Sequence, residues 1–259
     1  MPRPFQSCDA ARNLLLCALP AAERERLFPY LQPVTFSLGQ ILWEPGERIH
    51  HCYFPTNSVI SLLYTMQDGC TAEMGLVGNE GMLGIPVFLG GESTCSRALV
   101  AAAGDALMLT AKLIREEFAR PGSFQQLMLR YTQAFLTQVS QTAVCNRLHS
   151  VEQRLCRWLL LCHDRRNSLD LLMTQEVIAN MLGGRRESVT VAAGHLQDAG
   201  LIQYWRGCIK ILDRVGLELI ACECYRALED ETDRLFGGRK TAAFSPAEAV
   251  LREAGPPEL

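Results

Sequence analysis

The sequence predicts an α+β protein: an N-terminal antiparallel β jelly-roll barrel, a long dimerisation helix and a C-terminal winged helix-turn-helix domain. Three observations carry this. From Val34 to Thr110, short apolar or alternating runs are broken by glycine and proline, the pattern of many short antiparallel strands. From Ser123 to Val144, apolar residues recur at spacings of three and four on a stretch with one charge, Arg130, which is a helical period. From Leu172 to Ile211, a short apolar helical pattern (Val177, Ile178, Met181) meets a Gly183-Gly184 break, a second helix and a small hairpin around Arg206-Gly207.

Taken in order, Asn13–Leu19 and the segment opened by Pro20 read as short helices. Strands are expected at Val34–Phe36, Gln40–Trp43, Tyr53–Phe54, Val59–Tyr64, Thr71–Leu76, Gly84–Phe88, Ala98–Ala102 and Leu107–Leu109. Their interior has room for a small ligand. The barrel domain is assigned to 14–122 and the long helix to 123–145, with Phe124, Leu127, Met128, Tyr131, Phe135 and Val139 as its apolar stripe. Such a stripe needs a covering surface, and the same helix of a second copy supplies it most economically. Packing back onto the chain's own barrel is the alternative.

Ser150 and Gln153 form a capping-box pattern that opens the next helix, through Leu155, Trp158, Leu159 and Cys162. The helix-turn-helix domain is assigned to 146–236, closing with a helix over about 217–236, and 237–259 reads as a tail rich in glycine, alanine and proline.

The overall charge of −3 hides a basic middle: residues 145–214 carry 10 Lys/Arg and 7 Asp/Glu. A small positive balance points to nucleic acid only if the charges share a face. No apolar run is long enough to span a membrane and no signal peptide is apparent, so the cytoplasm is expected. The chain has 11 cysteines, but Cys222-Glu-Cys224 is their closest spacing and no CxxC framework appears. They read as buried small apolar residues, with no metal site and no cofactor expected. Phosphate-loop, HExxH and GxSxG patterns are absent, which argues against an enzyme.

The segment Thr174-Gln-Glu-Val-Ile-Ala-Asn-Met-Leu-Gly-Gly-Arg-Arg-Glu-Ser-Val-Thr190, followed by Leu196-Gln-Asp-Ala-Gly-Leu-Ile202 and Arg206-Gly207, resembles the Crp/Fnr superfamily of bacterial transcription regulators. A fainter likeness lies in Gln40–Gly46, Tyr53–Pro55, Gly78–Gly84 and Phe88–Gly91. The resemblance covers about residues 14–225. It implies a cyclic-nucleotide-binding-like barrel and a homodimer that reads a pseudo-palindromic site on double-stranded DNA, with RNA polymerase as a further candidate partner and no membrane. The family's Arg-Glu pair falls on Arg186 and Glu187, which suit guanine and cytosine edges in the major groove. Arg185 and Thr190 would add base or phosphate contacts. Thr174 and Gln175 open the first helix of the motif, and Arg206 and Lys210 of the wing face the DNA backbone.

The likeness also places the effector pocket at Met82, Leu83, Gly84, Thr94, Cys95 and Arg97. Relatives that bind cyclic AMP have a ribose-binding Glu where Met82 stands, and their phosphate-binding Arg falls near Thr94, three residues before Arg97. The expectation is a degenerate sensor with no cyclic nucleotide. A cyclic-nucleotide-responsive regulator and a protein-interaction module with a degenerate helix-turn-helix are the alternatives.

Overall fold

A computed structural model describes residues 12–67, 71–166, 170–172, 178–179, 182, 186–205 and 208–237. The described residues open with two short helices, α1 (Leu14–Ala18) and α2 (Ala21–Leu27). Asn13 fixes the first of them. Its side-chain oxygen accepts from the Leu16 N–H, and its buried amide donates to the carbonyls of Pro55 and Gly81, each at 2.9 Å.

Seven strands follow: β1 (Gln32–Phe36), β2 (Ile41–Trp43), β3 (His51–Pro55), β4 (Val59–Thr65), β5 (Thr71–Val77), β6 (Arg97–Ala102) and β7 (Gly104–Thr110). They pair antiparallel in two sheets, ordered β1-β7-β3 and β2-β6-β4-β5. The jelly-roll expectation is met by these two sheets, which are not hydrogen-bonded into one closed barrel. Between them lies an apolar core that includes Phe36, Trp43, Phe54, Ile60, Leu83, Val100 and Leu107.

One expected strand is absent. Residues 85–87 form a single 3-10 turn, because Pro86 has no N–H to give a ladder and Gly84 turns the chain at φ 123°.

Helix α3 (Ala111–Phe118) leads into α4 (Ser123–Leu148), 26 residues long, and then α5 (Val151–Arg166). The capping box forms as the sequence predicts. The Gln153 N–H donates to Ser150 Oγ at 3.2 Å, and the Ser150 N–H donates to Gln153 Oε1 at 3.1 Å.

The long helix corrects one expectation. Phe124, Leu127, Met128 and Tyr131 are buried within their own chain, and Phe135 is half-buried against the same core. Val139 is also half-buried. The stripe assigned to dimerisation therefore covers the barrel for its upper half, the alternative that periodicity alone could not separate. Gly81 permits the approach, since a Cβ there would lie 2.5 Å from the Tyr131 hydroxyl. The large apolar side chains that α4 exposes are Leu129, Leu136, Val144 and Leu148.

Among the described residues, the C-terminal part contains β8 (Asp170–Leu172), α6 (Arg186–Asp198), β9 (Ile202–Trp205), β10 (Cys208–Ile211), α7 (Arg214–Ile220) and α8 (Cys224–Leu235). The three strands pair antiparallel in the order β8-β10-β9. The single closing helix expected from Leu217 is in fact two helices. Ala221 takes an extended conformation with ψ 146°, so α7 ends there and α8 restarts at Cys224.

A second apolar core joins α5 and α6 through Leu155, Trp158, Leu159, Val189 and Leu196, and it continues to Val59, Leu76 and Ala102 of the barrel. Helix α5 is thus sandwiched between the two parts, which is why it is apolar on more than one side.

Candidate nucleic-acid interface and its link to the barrel

Helix α6 divides cleanly by face. Val189, Ala192, Ala193 and Leu196 are buried, a spacing of three and four that seats the helix on α5. Arg186, Glu187, Ser188, Thr190 and Val191 point outward. The Thr190 hydroxyl donates to the Arg186 carbonyl at 3.0 Å, which fixes its rotamer one turn below. Its first turns therefore present one cation, one carboxylate and one hydroxyl beside the methyl groups of Val191. That is a set able to pair with base edges and a thymine methyl.

The hairpin β9–β10 is held beside this helix, because the Tyr204 N–H donates to Gln197 Oε1 at 2.9 Å. Lys210 is half-buried on β10 and Trp205 is exposed on β9. Thr174, Gln175, Arg185 and Arg206 lie outside the described residues.

Gly194 lies in the interior of α6, and a Cβ added there meets no heavy atom within 4 Å. Gly194→Ala is expected to stabilise the chain by about 1 kcal/mol, the helix-propensity difference alone. A urea-unfolding midpoint that falls instead would show a steric cost at this site.

Much of the basic balance of 145–214 is spent inside the protein. Arg154, Arg157 and Arg165 are buried. Arg214 is the hub of an internal network: it bonds Asp164, donates to Glu218 Oε1 at 2.8 Å and donates to the Tyr225 hydroxyl at 2.7 Å. Burial works against ionising Asp164, yet hydrogen bonds from His163 and Arg214 hold its carboxyl below the usual range. These bonds tie α5 to α7 and α8.

Sequence reasoning missed the polar links between barrel and helices. Trp158 Nε1 donates to Glu73 Oε2 at 3.2 Å, and Ser61 Oγ donates to the same oxygen at 2.7 Å. Arg165 is paired with Glu80 at 2.7 Å and donates to Gln138 Oε1 at 3.0 Å. Tyr131 donates to the Met82 carbonyl at 3.0 Å. Glycines at 75, 78 and 81 are the signals for these contacts in the sequence, since a Cβ there would collide with Gln138, Arg165 and Tyr131 at 2.7, 2.5 and 2.5 Å.

The six residues assigned to an effector pocket fall into two groups. Met82 and Leu83 are buried in the apolar core, with Gly84 at the turn that follows. At the start of β6, the Thr94 hydroxyl shares a 3.1 Å hydrogen bond with Ser96, Cys95 is exposed, and Arg97 Nε donates to Glu44 Oε2 at 2.8 Å.

A strand roll carried on a long helix, with a winged helix-turn-helix at its end, defines a class of two-part protein whose second part has a DNA-reading motif. Comparison with known proteins gives the particular form. Residues 153–220 match the Crp-like helix-turn-helix domain family. No curated protein matches the sequence. Among solved structures, the chain is similar to FixK2 from Bradyrhizobium japonicum, with TM-score 0.63 and 13% identity over 74% of this chain and 98% of that one. It is also similar to a CRP-family transcriptional regulator from Thermus thermophilus, with TM-score 0.60 and 19% identity over 73% and 96%. A third is the c-di-GMP responsive global regulator CLP of Xanthomonas campestris, with TM-score 0.57 and 15% identity over 74% and 99%. Residues 153–220 thus form a Crp-like helix-turn-helix domain, and about three quarters of the chain shares its fold with these solved regulators. Among the described residues no helix is long and apolar enough to cross a membrane.

Proposed function

We propose that the protein is a sequence-specific, homodimeric DNA-binding regulator of transcription. The observation that carries this is the outward face of α6, where Arg186, Glu187 and Thr190 stand clear of the core on a helix held beside a wing. Two copies related by a two-fold axis would set their α6 helices about one DNA turn apart, roughly 34–36 Å, and read a pseudo-palindromic site. The four exposed apolar residues of α4 supply the face on which the copies meet.

The barrel acts in this reading as a sensor that does not take a cyclic nucleotide. Met82 puts an apolar side chain in the core where relatives have a ribose-binding carboxylate, and Arg97 is already paired with Glu44. A cyclic phosphate would need an unpaired cation or a nest of backbone donors. A signal could still pass from the 81–84 segment to α4, because Tyr131 holds the Met82 carbonyl.

Selection of binding sites from a random duplex pool, with the purified reduced protein, tests the reading. A two-fold symmetric motif is expected. Arg186→Ala should then lose about 1–3 kcal/mol of discrimination at one symmetric pair of positions, roughly 5- to 150-fold. Unchanged affinity across all single-base variants of the site would remove Arg186 from base recognition. Enrichment of no motif by a folded dimer would favour the protein-interaction alternative.

A further inference from the structure

At the junction of α4, α5, α7 and α8, two pairs of side chains remote from each other in sequence come together. Cys145 and His149 stand one helical turn apart at the end of α4, where His149 leaves the helix with an extended backbone, φ −105° and ψ 152°. Cys222 and Cys224 flank Glu223 at the break between α7 and α8. The three sulfurs are buried together in a small cluster of their own, and His149 is half-buried beside them. Cys145 Sγ lies 3.5 Å from Cys222 Sγ, and Cys224 Sγ lies 3.5 Å from His149 Nδ1. All four ligand atoms fall within 4.8 Å of one another.

We infer that Cys145, His149, Cys222 and Cys224 form a closed Cys3His site for a single zinc ion. Around tetrahedral zinc, Zn–S of about 2.3 Å and Zn–N of about 2.0–2.1 Å place neighbouring ligand atoms roughly 3.5–3.8 Å apart. The two 3.5 Å separations already approach those edges. Ligand atoms this close enclose one ion and leave no space for bridging sulfides. Three thiol groups and an imidazole select a soft or borderline metal over magnesium or calcium. Four protein ligands leave no open position, so the site is structural. On binding, each of the three thiols loses its proton to solvent and becomes a thiolate.

The surroundings fit such a centre. With Nδ1 turned to the cluster, His149 has its Nε2 3.3 Å from Glu223 Oε2, the carboxylate–histidine arrangement that orients a metal-bound imidazole. Gln141 Nε2 donates to Cys224 Sγ at 3.0 Å. Three thiolates and one divalent ion leave a net charge of −1. Two buried guanidinium groups, Arg154 and Arg157, lie close enough to Cys145 to interact with it electrostatically. Among the described residues neither has a carboxylate within 4.0 Å, although Arg157 also acts on Glu73 at longer range. Arg154 Nε and Arg157 Nη1 are buried without a hydrogen-bond acceptor. Their other hydrogen bonds go to neutral groups, Arg154 to Asn146 and Arg157 to the Thr142 hydroxyl, and a metal–thiolate centre would balance the two buried charges.

An ion here would pin the α7–α8 turn to the end of the long helix, where the helix-turn-helix part begins. The test is metal analysis of the full chain purified under reducing conditions from zinc-containing medium, followed by cobalt titration of chelator-treated protein. One zinc per chain is expected. Cobalt should give a thiolate-to-metal charge-transfer band and the visible bands of a tetrahedral site, both lost in Cys222→Ser/Cys224→Ser and kept in Cys156→Ser, a buried cysteine outside the cluster. Glu223→Gln should weaken binding by about 10–100-fold while leaving the spectrum tetrahedral.

The wild-type cobalt spectrum decides the matter even if the double variant does not fold. Absence of zinc together with no thiolate–cobalt band would overturn the assignment. So would iron with acid-labile sulfide, or a Cys145–Cys222 disulfide in the protein as isolated.

Discussion

Trp158→Ala is expected to destabilise the chain by about 3–5 kcal/mol, the cost of emptying a large buried aromatic site. Trp158 belongs to the apolar core that runs from α6 through α5 to the barrel strands, so its loss is felt on both sides. Its indole N–H also donates to Glu73, a buried carboxyl otherwise held by Ser61. Trp158→Phe separates the two contributions, keeping most of the apolar volume while removing the donor at roughly 1–3 kcal/mol.

The pH dependence has a definite sign. Burial pushes the Glu73 carboxyl above its usual range, against the hydrogen bonds from Ser61 and Trp158, which favour the carboxylate. A folded-state value above the unfolded one means the contribution is fully present below the unfolded value and is lost as pH rises through the folded value. Removing the Trp158 donor should therefore steepen the loss of stability above the ordinary carboxylate range. Urea titrations at several pH values measure both effects. A Trp158→Ala loss below about 1 kcal/mol would mean that this core does not join the two parts.

The resemblance concentrated in 174–206 was legible because helix-turn-helix geometry needs particular residue types at fixed spacings: a cap, a glycine break and a polar first turn. The strands were legible because glycine and proline mark their ends. The 85–87 turn was misread since Ile85, Val87 and Phe88 are apolar in a strand or in a turn packed on the core.

Long-range pairing was not legible at all. The stripe from Phe124 to Val139 announces a helix with a covered side, but periodicity is blind to whether the cover is the same chain or another. The arginines of α5 look like surface charge in sequence, and only the fold shows that Arg165 is paired with Glu80 inside. For the same reason Cys145 and Cys222 carry no spacing signal. Their proximity depends on where α7 stops, at an extended Ala221 that helical propensity does not foretell.

The correction to the long helix changes which substitutions should separate the two copies of the proposed homodimer. Leu129 and Leu136 are seven residues apart, two helical turns, and are 50% and 60% exposed. They lie away from the side occupied by Leu127 and Tyr131, and Ala143 continues the same row. Leu129→Asp with Leu136→Asp places like charges opposite each other across a two-fold interface while touching nothing in the barrel core. The wild type is expected to sediment as a dimer and the double variant as a monomer with an unchanged circular-dichroism spectrum, its thermal midpoint lowered only by the lost association. Because a dimer holds its second α6 at high effective concentration over the second half-site, affinity for the full site should fall by about 10²–10⁴-fold, with weak half-site binding remaining. Leu127→Asp should behave differently, destabilising the monomer itself by burying an unpaired charge. A double variant that stays dimeric, or a wild type that is monomeric on its selected site, would place the interface elsewhere.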